Sequence, residues 1–180
     1  MMGDFLPVAA DPYSWPFDGA WSATDTALLL LGFEAATIVG LGAEVALGQA
    51  LQLADAAHAA GIVVIASVHA GVGSPPAGFA ADCVIEHAGD NAFFRTPLEA
   101  ELRRLGIRYL VVAGLPTEGL LHATQRTAND MGFECLAVSD ASAGTTPERH
   151  LAQLRITTFG NGLFGAVADT GAVIAALRSA

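Results

Sequence analysis

The 180-residue chain is predicted to fold as a single doubly wound α/β domain, a six-stranded parallel sheet with helices on both faces. Three observations predict this. Short apolar runs recur along the chain, segments of helical periodicity separate them, and glycine or proline punctuates the joins, which is the pattern of successive βαβ units. The strand candidates are residues 27–33, 62–68, 82–86, 109–113, 134–138 and 163–168. They are nearly continuous hydrophobic runs rather than alternating ones, as strands covered on both faces require.

The helix signals fall between these runs. Leu47, Leu51 and Ala54 share i, i+4, i+7 spacing, and Gly61 is a suitable residue to end that helix. Thr96-Pro97-Leu98-Glu99 reads as a capping box with proline in the first helical position, and Leu98, Leu102 and Leu105 form the inner face that follows. Thr117 is expected to cap a third helix with Leu120, Thr124, Thr127 and Met131 on one stripe. Thr145-Thr146-Pro147-Glu148 opens a fourth, and a last helix covers residues 170–178. Residues 1–25, rich in proline and aromatics, read as an irregular arm lying on the domain or on a neighbouring subunit, and residues 26–180 as the domain itself. Right-handed crossovers between parallel strands put ligand sites at the carboxyl ends of the strands, near the topological switch. The positions to inspect are therefore 32–34, 68–71, His87, 114–120 and 159–162.

Composition narrows the function. The net charge of −10 arises from 18 acidic and 8 basic side chains and opposes binding to nucleic acid or anionic membranes. Every basic residue is arginine, so the chain has no lysine to offer a mechanism. No apolar run approaches the about 20 residues of a membrane helix, and the start lacks a basic cluster, so a cytoplasmic protein is expected. Cys83 and Cys135 sit in strand-like runs and read as buried free thiols, and no Cys or His spacing suggests a metal; neither metal nor cofactor is expected. A mean hydropathy of +0.49, with an aromatic arm needing cover, predicts a homo-oligomer, either dimer or tetramer.

Gly114-Leu115-Pro116-Thr117-Glu118-Gly119-Leu120-Leu121-His122-Ala123-Thr124, followed by Ala128 and Gly132-Phe133, resembles the G-V-x-T-x-x-C-V-x-x-T signature of the isochorismatase-like cysteine hydrolases. Ala92-Phe93-Phe94-Arg95-Thr96-Pro97-Leu98 resembles the A-F-x-x-T-x-L segment before it, and residues 27–33 resemble the first strand, usually A-L-L-V-I-D-M. Asp11-Pro12-Tyr13-Ser14-Trp15-Pro16-Phe17-Asp18-Gly19 and the C-terminal half are most similar to the branch holding biuret hydrolases and N-carbamoylsarcosine amidases. The segment at 74–79 is shorter than that branch has, so part of a pocket wall is expected to be missing. The resemblance implies a Rossmann-like fold and a triad of aspartate, lysine and cysteine. A thiolate at a helix N-terminus attacks an amide carbonyl, the aspartate shuttles the proton, and the lysine keeps the aspartate ionised. It also implies a cis peptide before the threonine.

Carried onto this chain, the aspartate position is Gly32, the lysine position His87 and the cysteine position Leu120; none can perform the family's chemistry. A glutamine that helps bind urea-like substrates maps to Gly160, with Asn161 beside it. Leu115-Pro116 keeps the cis position, and Thr117 is expected to cap an anion-friendly helix N-terminus, which Glu118 would oppose. Candidate ligand contacts are His87, His69, Phe33, Phe93, Pro116, Thr117, Glu118 and Asn161. His58 continues the 47/51/54 stripe into a last helical turn, where it favours the helix C-terminus; His122 and His150 read as helix-surface residues, Phe33, Phe93 and Phe94 as core with one lining the pocket, and Glu34 as a solvated carboxylate. Two functions remain open: an inactive protein binding a partner, an active relative or a small carbonyl or amide ligand, and a C–N hydrolase rewired around His87 with Glu34, Glu118 or His69. A third is a structural subunit whose pocket is filled.

Overall fold

The computed structural model describes residues 4–17 and 19–177. Asp18 of the arm and Arg178, expected to end the last helix, lie outside the described residues. The strands are β1 (Thr26–Leu31), β2 (Val63–His69), β3 (Cys83–His87), β4 (Tyr109–Gly114), β5 (Glu134–Val138) and β6 (Ala166–Ala168). They form one six-stranded parallel sheet in the order β3-β2-β1-β4-β5-β6, as expected for a doubly wound fold. The switch of winding direction falls between β1 and β4, whose register runs from Thr26 opposite Tyr109 to Leu31 opposite Gly114.

The helices are α1 (Ala35–Leu41), α2 (Glu44–Ala59), α3 (Leu98–Arg104), α4 (His122–Asp130), α5 (Pro147–Gly162) and α6 (Thr170–Leu177). Alternate residues of the sheet supply two cores. Leu28, Leu30, Val64 and Val111 pack with Ala50, Leu53, Ala57 and Val173 from α2 and α6. Leu29, Leu31, Ile65, Ile85 and Val112 pack with Leu98, Leu102, Leu121 and Ala128 on the other face. No helix among the described residues is long and apolar enough to cross a membrane.

Several local expectations are corrected. β6 is three residues long because Gly162 and Gly165 adopt positive φ of 88° and 122°, which breaks the apolar run at 163–165. In α2 the buried stripe is Ala46, Ala50, Leu53, Ala54 and Ala57, while Leu47 and Leu51 stand at its edge. Thr96 stands one residue before the cap position, which Pro97 occupies; its hydroxyl accepts from the Leu98 amide at 3.3 Å and donates to the Ala92 carbonyl. Thr146 does cap α5, accepting from the Arg149 amide at 3.3 Å, with Pro147 in the first turn.

The arm lies on its own domain. Val8 and Trp15 pair antiparallel, and Asp11 exchanges two 2.9 Å backbone bonds with Val167, closing the β6 edge of the sheet. Trp15 and Trp21 are fully buried, edge-to-face at 5.0 Å, and Trp15 meets Tyr109 at 5.6 Å. Most of the arm's aromatics are therefore covered within the subunit, so they carry no argument for oligomerisation.

Candidate functional site

At the switch point, β1 ends at Gly32, whose amide donates to Ser67 at 2.9 Å, and β4 ends in the Leu115–Pro116 peptide, which is cis. Thr117–Leu121 then forms a π-helical turn that runs into α4. Within it the amides of Gly119 and Leu121 both donate to the Pro116 carbonyl, at 3.2 and 3.3 Å, and the Thr117 amide donates to Ala143 at 2.9 Å. These donors are spent inside the protein, which removes much of the anion-friendly character expected of this N-terminus.

Gly32 and Leu120, two of the three positions that the resemblance singles out, lie against each other here. Leu120 is 3% exposed. Gly32 has φ of +72°, and a Cβ built on it would stand 2.3 Å from the Leu115 carbonyl oxygen and 3.0 Å from Leu120 Cδ2. His87, at the end of β3, is 3% exposed, with Nδ1 2.8 Å from the Ser67 hydroxyl. Its Nε2 has no hydrogen-bond partner among the described residues. Burial holds the His87 imidazole below its ordinary value, against the opposite pull of the Glu34 carboxylate.

The candidate helpers of His87 are otherwise engaged. Glu34 is buried rather than solvated; its carboxylate accepts from the His69 amide and, at 3.1 Å, from the Thr37 hydroxyl. His69 is exposed and sets its ring edge-to-face against His87 at 5.6 Å. Glu118 accepts through Oε1 from the Thr145 amide at 2.9 Å and from the Thr145 hydroxyl, while its Oε2 is buried without a hydrogen-bond partner. Desolvation pushes the Glu118 carboxyl up, but these bonds and Arg149 outweigh it and hold it below its ordinary value.

Thr117 does not cap its helix. It is fully buried, and its hydroxyl lies 2.7 Å from Nδ1 of His150 on α5. His122 pairs in the same way with Gln153 at 2.7 Å. Both histidines, expected on the surface, are half-buried, and burial lowers the pKa of each. Sequence reasoning missed this pair because helix periodicity carries no signal for a polar seam between two helices.

The remaining candidates separate. Phe33 is 1% exposed and meets Phe79 edge-to-face at 5.2 Å; Phe93 stacks on Phe133 at 6.1 Å. Both are core. The aromatic left open is Phe94, 62% exposed, beneath the Arg95 guanidinium at 5.3 Å. These two line a cleft of about 360 Å³ with Ala70, Glu86, Ala88 and Gly89. Pro116 stays half-buried beside Gly119. Asn161, exposed and left-handed at φ of 62°, lies in the non-helical last turn of α5, just before Leu163, whose carbonyl accepts from Asn129 at the far end of α4. That is the amino end of the sheet, so Asn161 does not join the other candidates. No group of His, Cys, Asp and Glu suited to a metal ion occurs among the described residues.

The frame around this site is retained. The Ala92 amide donates to the Thr124 hydroxyl at 3.0 Å and the Asn91 amide group to the Thr127 hydroxyl at 2.8 Å, tying the 91–96 segment to α4. Among solved structures, the fold is similar to the YcaC gene product of Escherichia coli, described as an octameric hydrolase of unknown specificity, with a TM-score of 0.78 at 20% identity over 88% of this chain and 81% of that one. An isochorismatase-type protein from Burkholderia xenovorans superposes with a TM-score of 0.76 at 24% identity, over 85% and 87%. In sequence, the chain is 38% identical over 63 residues to an uncharacterised isochorismatase-family protein, YddQ, of Bacillus subtilis, covering 35% of this chain and 34% of that protein. It is 37% identical over 91 residues to the ureidoacrylate amidohydrolase RutB of Acinetobacter baylyi, covering 49% and 36%. The matches thus span about a third of each curated relative's length. The isochorismatase domain itself matches residues 26–171, and the chain belongs to the isochorismatase family.

Proposed function

We propose that this protein is a non-hydrolytic member of its family, one that keeps the frame and uses it to bind protein partners, whether further copies of itself or an active relative. The observation that carries this reading is the filled triad site. Leu120 occupies the nucleophile position at 3% exposure, and Gly32 has no room for the carbon that would bear a carboxylate. No set of nucleophile, base and orienting group can be assembled around it. Cys83 and Cys135 offer no replacement, since burial pushes both thiols up.

A rewired C–N hydrolase is the second reading, favoured by one feature: His87 is pinned at Nδ1 by Ser67 and leaves Nε2 unpartnered. Against it, Glu34 binds the His69 amide and the Thr37 hydroxyl, and Glu118 accepts from Thr145 through Oε1, so neither is hydrogen-bonded to the imidazole. A small carbonyl or amide ligand, if bound at all, would fit the open cleft under Arg95 rather than the triad site.

The test is hydrolysis of biuret, N-carbamoylsarcosine, ureidoacrylate, nicotinamide and isochorismate by purified protein, compared with buffer. The expected result is no turnover. Turnover abolished by His87→Asn would establish the rewired enzyme instead. Turnover that survives this substitution would overturn both readings.

A further inference from the structure

Helix α5 has an inner edge and an outer one. His150, Gln153 and Thr157 face the π turn and the sheet, with Thr157 fully buried and Gln153 6% exposed. At about 100° per residue, the opposite side carries Glu148, Leu151, Ala152, Arg155, Ile156 and Phe159. Leu151 is 53% exposed, Ile156 47% and Phe159 70%, and Leu163 beyond the helix break is 52% exposed. Single exposed hydrophobics are ordinary, but a continuous stripe along one helix is not. Its apolar area is on the order of 400 Å², the size of a functional patch. Tyr13, packed against Gly162, brings in Phe17, itself 63% exposed.

The charges on the stripe indicate what covers it. Glu148 and Arg155 form no ion pair with each other or with any other described residue, while the neighbouring Arg149 is held by the Thr145 hydroxyl at 2.9 Å. Parallel packing of two such helices would oppose like charges. Antiparallel packing about Ala152 sets Glu148 level with Ile156 of the second copy, one residue's rise of about 1.5 Å from its Arg155. The two-fold axis makes that pair twice. Ala152, small and central, lets the helix axes approach to about 8 Å.

We propose that the outer face of α5 is the two-fold contact of a homodimer, with two α5 helices antiparallel across Ala152. This rests on the reading of the chain as an assembling protein and names the face it uses. Stable interfaces bury about 800 Å² per partner, so the stripe forms the core and Phe17 with the flanking polar residues the remainder.

Sedimentation velocity at micromolar concentration tests it. The wild-type chain is expected as an assembly of twice 18.4 kDa or an even multiple of it. Phe159→Glu and Ile156→Glu are expected to halve that mass with the far-ultraviolet circular dichroism unchanged. Glu148→Arg and Arg155→Glu each weaken association about tenfold, and the double reversal restores it. In a Cys83→Ser background, Ala152→Cys should cross-link into a disulfide pair on mild oxidation. A wild-type species of 18.4 kDa overturns the dimer and, with it, self-association as the chain's partner-binding role. An assembly that ignores Phe159→Glu and fails to cross-link through position 152 overturns the face alone.

Discussion

Replacing Gly32 by alanine isolates the backbone constraint just after β1. The new Cβ meets the Leu115 carbonyl oxygen at 2.3 Å, and that oxygen cannot swing aside freely, because the Leu115 amide is tied to Leu31 at 2.9 Å. Two costs add. Holding alanine at φ of +72° costs about 1–2 kcal/mol, and displacing a packed neighbour costs about 1–3 kcal/mol more. A total of about 2–5 kcal/mol in a domain of this size lowers Tm by roughly 4–20 °C. Gly32→Asp should lose at least as much, since its carboxylate would be buried with no lysine beside it and a neutral His87 nearby. Adding Leu120→Cys should recover little, because the Leu115 contact is the shorter of the two. Scanning calorimetry with urea unfolding measures the change. A Gly32→Ala protein melting within 2 °C of wild type would refute the reasoning and reopen the site to repair by substitution.

Acidification should weaken the fold before its carboxylates titrate. Burial holds His87, His122 and His150 below their usual 6.5, so the unfolded chain takes up protons first as pH falls. Stability is therefore full above about pH 7 and declines toward pH 5. Urea titrations at pH 5, 6 and 7 should show this decline, and His87→Asn should flatten it; an unchanged slope in the variant would exclude His87 as a contributor. Trp15→Ala empties a fully buried site and should cost about 3–5 kcal/mol, read as a lower urea midpoint with tryptophan emission shifted to the red. A thiol-reactive disulfide reagent should label at most Cys83 in the native protein and both cysteines after unfolding, because Cys135 is buried with its thiol pushed up. Rapid labelling of both in the native state would contradict the core placement of β5.

The fold was legible where packing and periodicity agree. Residues 134–138 become β5 unchanged because the run is apolar, buried and preceded by Gly132 at φ of +86°. The overlong β6 shows the limit of hydrophobicity as a guide, since Leu163 and Phe164 are apolar yet sit in a connection shaped by two left-handed glycines. Helix α1 escaped notice because seven residues with one buried side chain, Ile38, show no period. In α2 the burial falls on alanines, whose weak apolar signal is outvoted by the leucines beside them.

At the site, the sequence places glycine, histidine and leucine at positions 32, 87 and 120, but does not tell how closely Gly32 and Leu120 pack. That packing depends on the φ of Gly32 and the position of the Leu115 carbonyl, both backbone properties that side-chain patterns do not encode. The same holds for Thr117, whose hydroxyl was read as a local cap and instead bonds to His150, 33 residues away. That contact changes what the π turn rests on. The turn has α5 behind it, bound through Thr117 to His150 and, one turn along, through His122 to Gln153. The seam lies on the inner edge of the helix whose outer edge carries the exposed stripe. The π turn and the α5 surface are thus joined through one helix. A partner packed on Ala152 and Ile156 would steady the π turn without touching it.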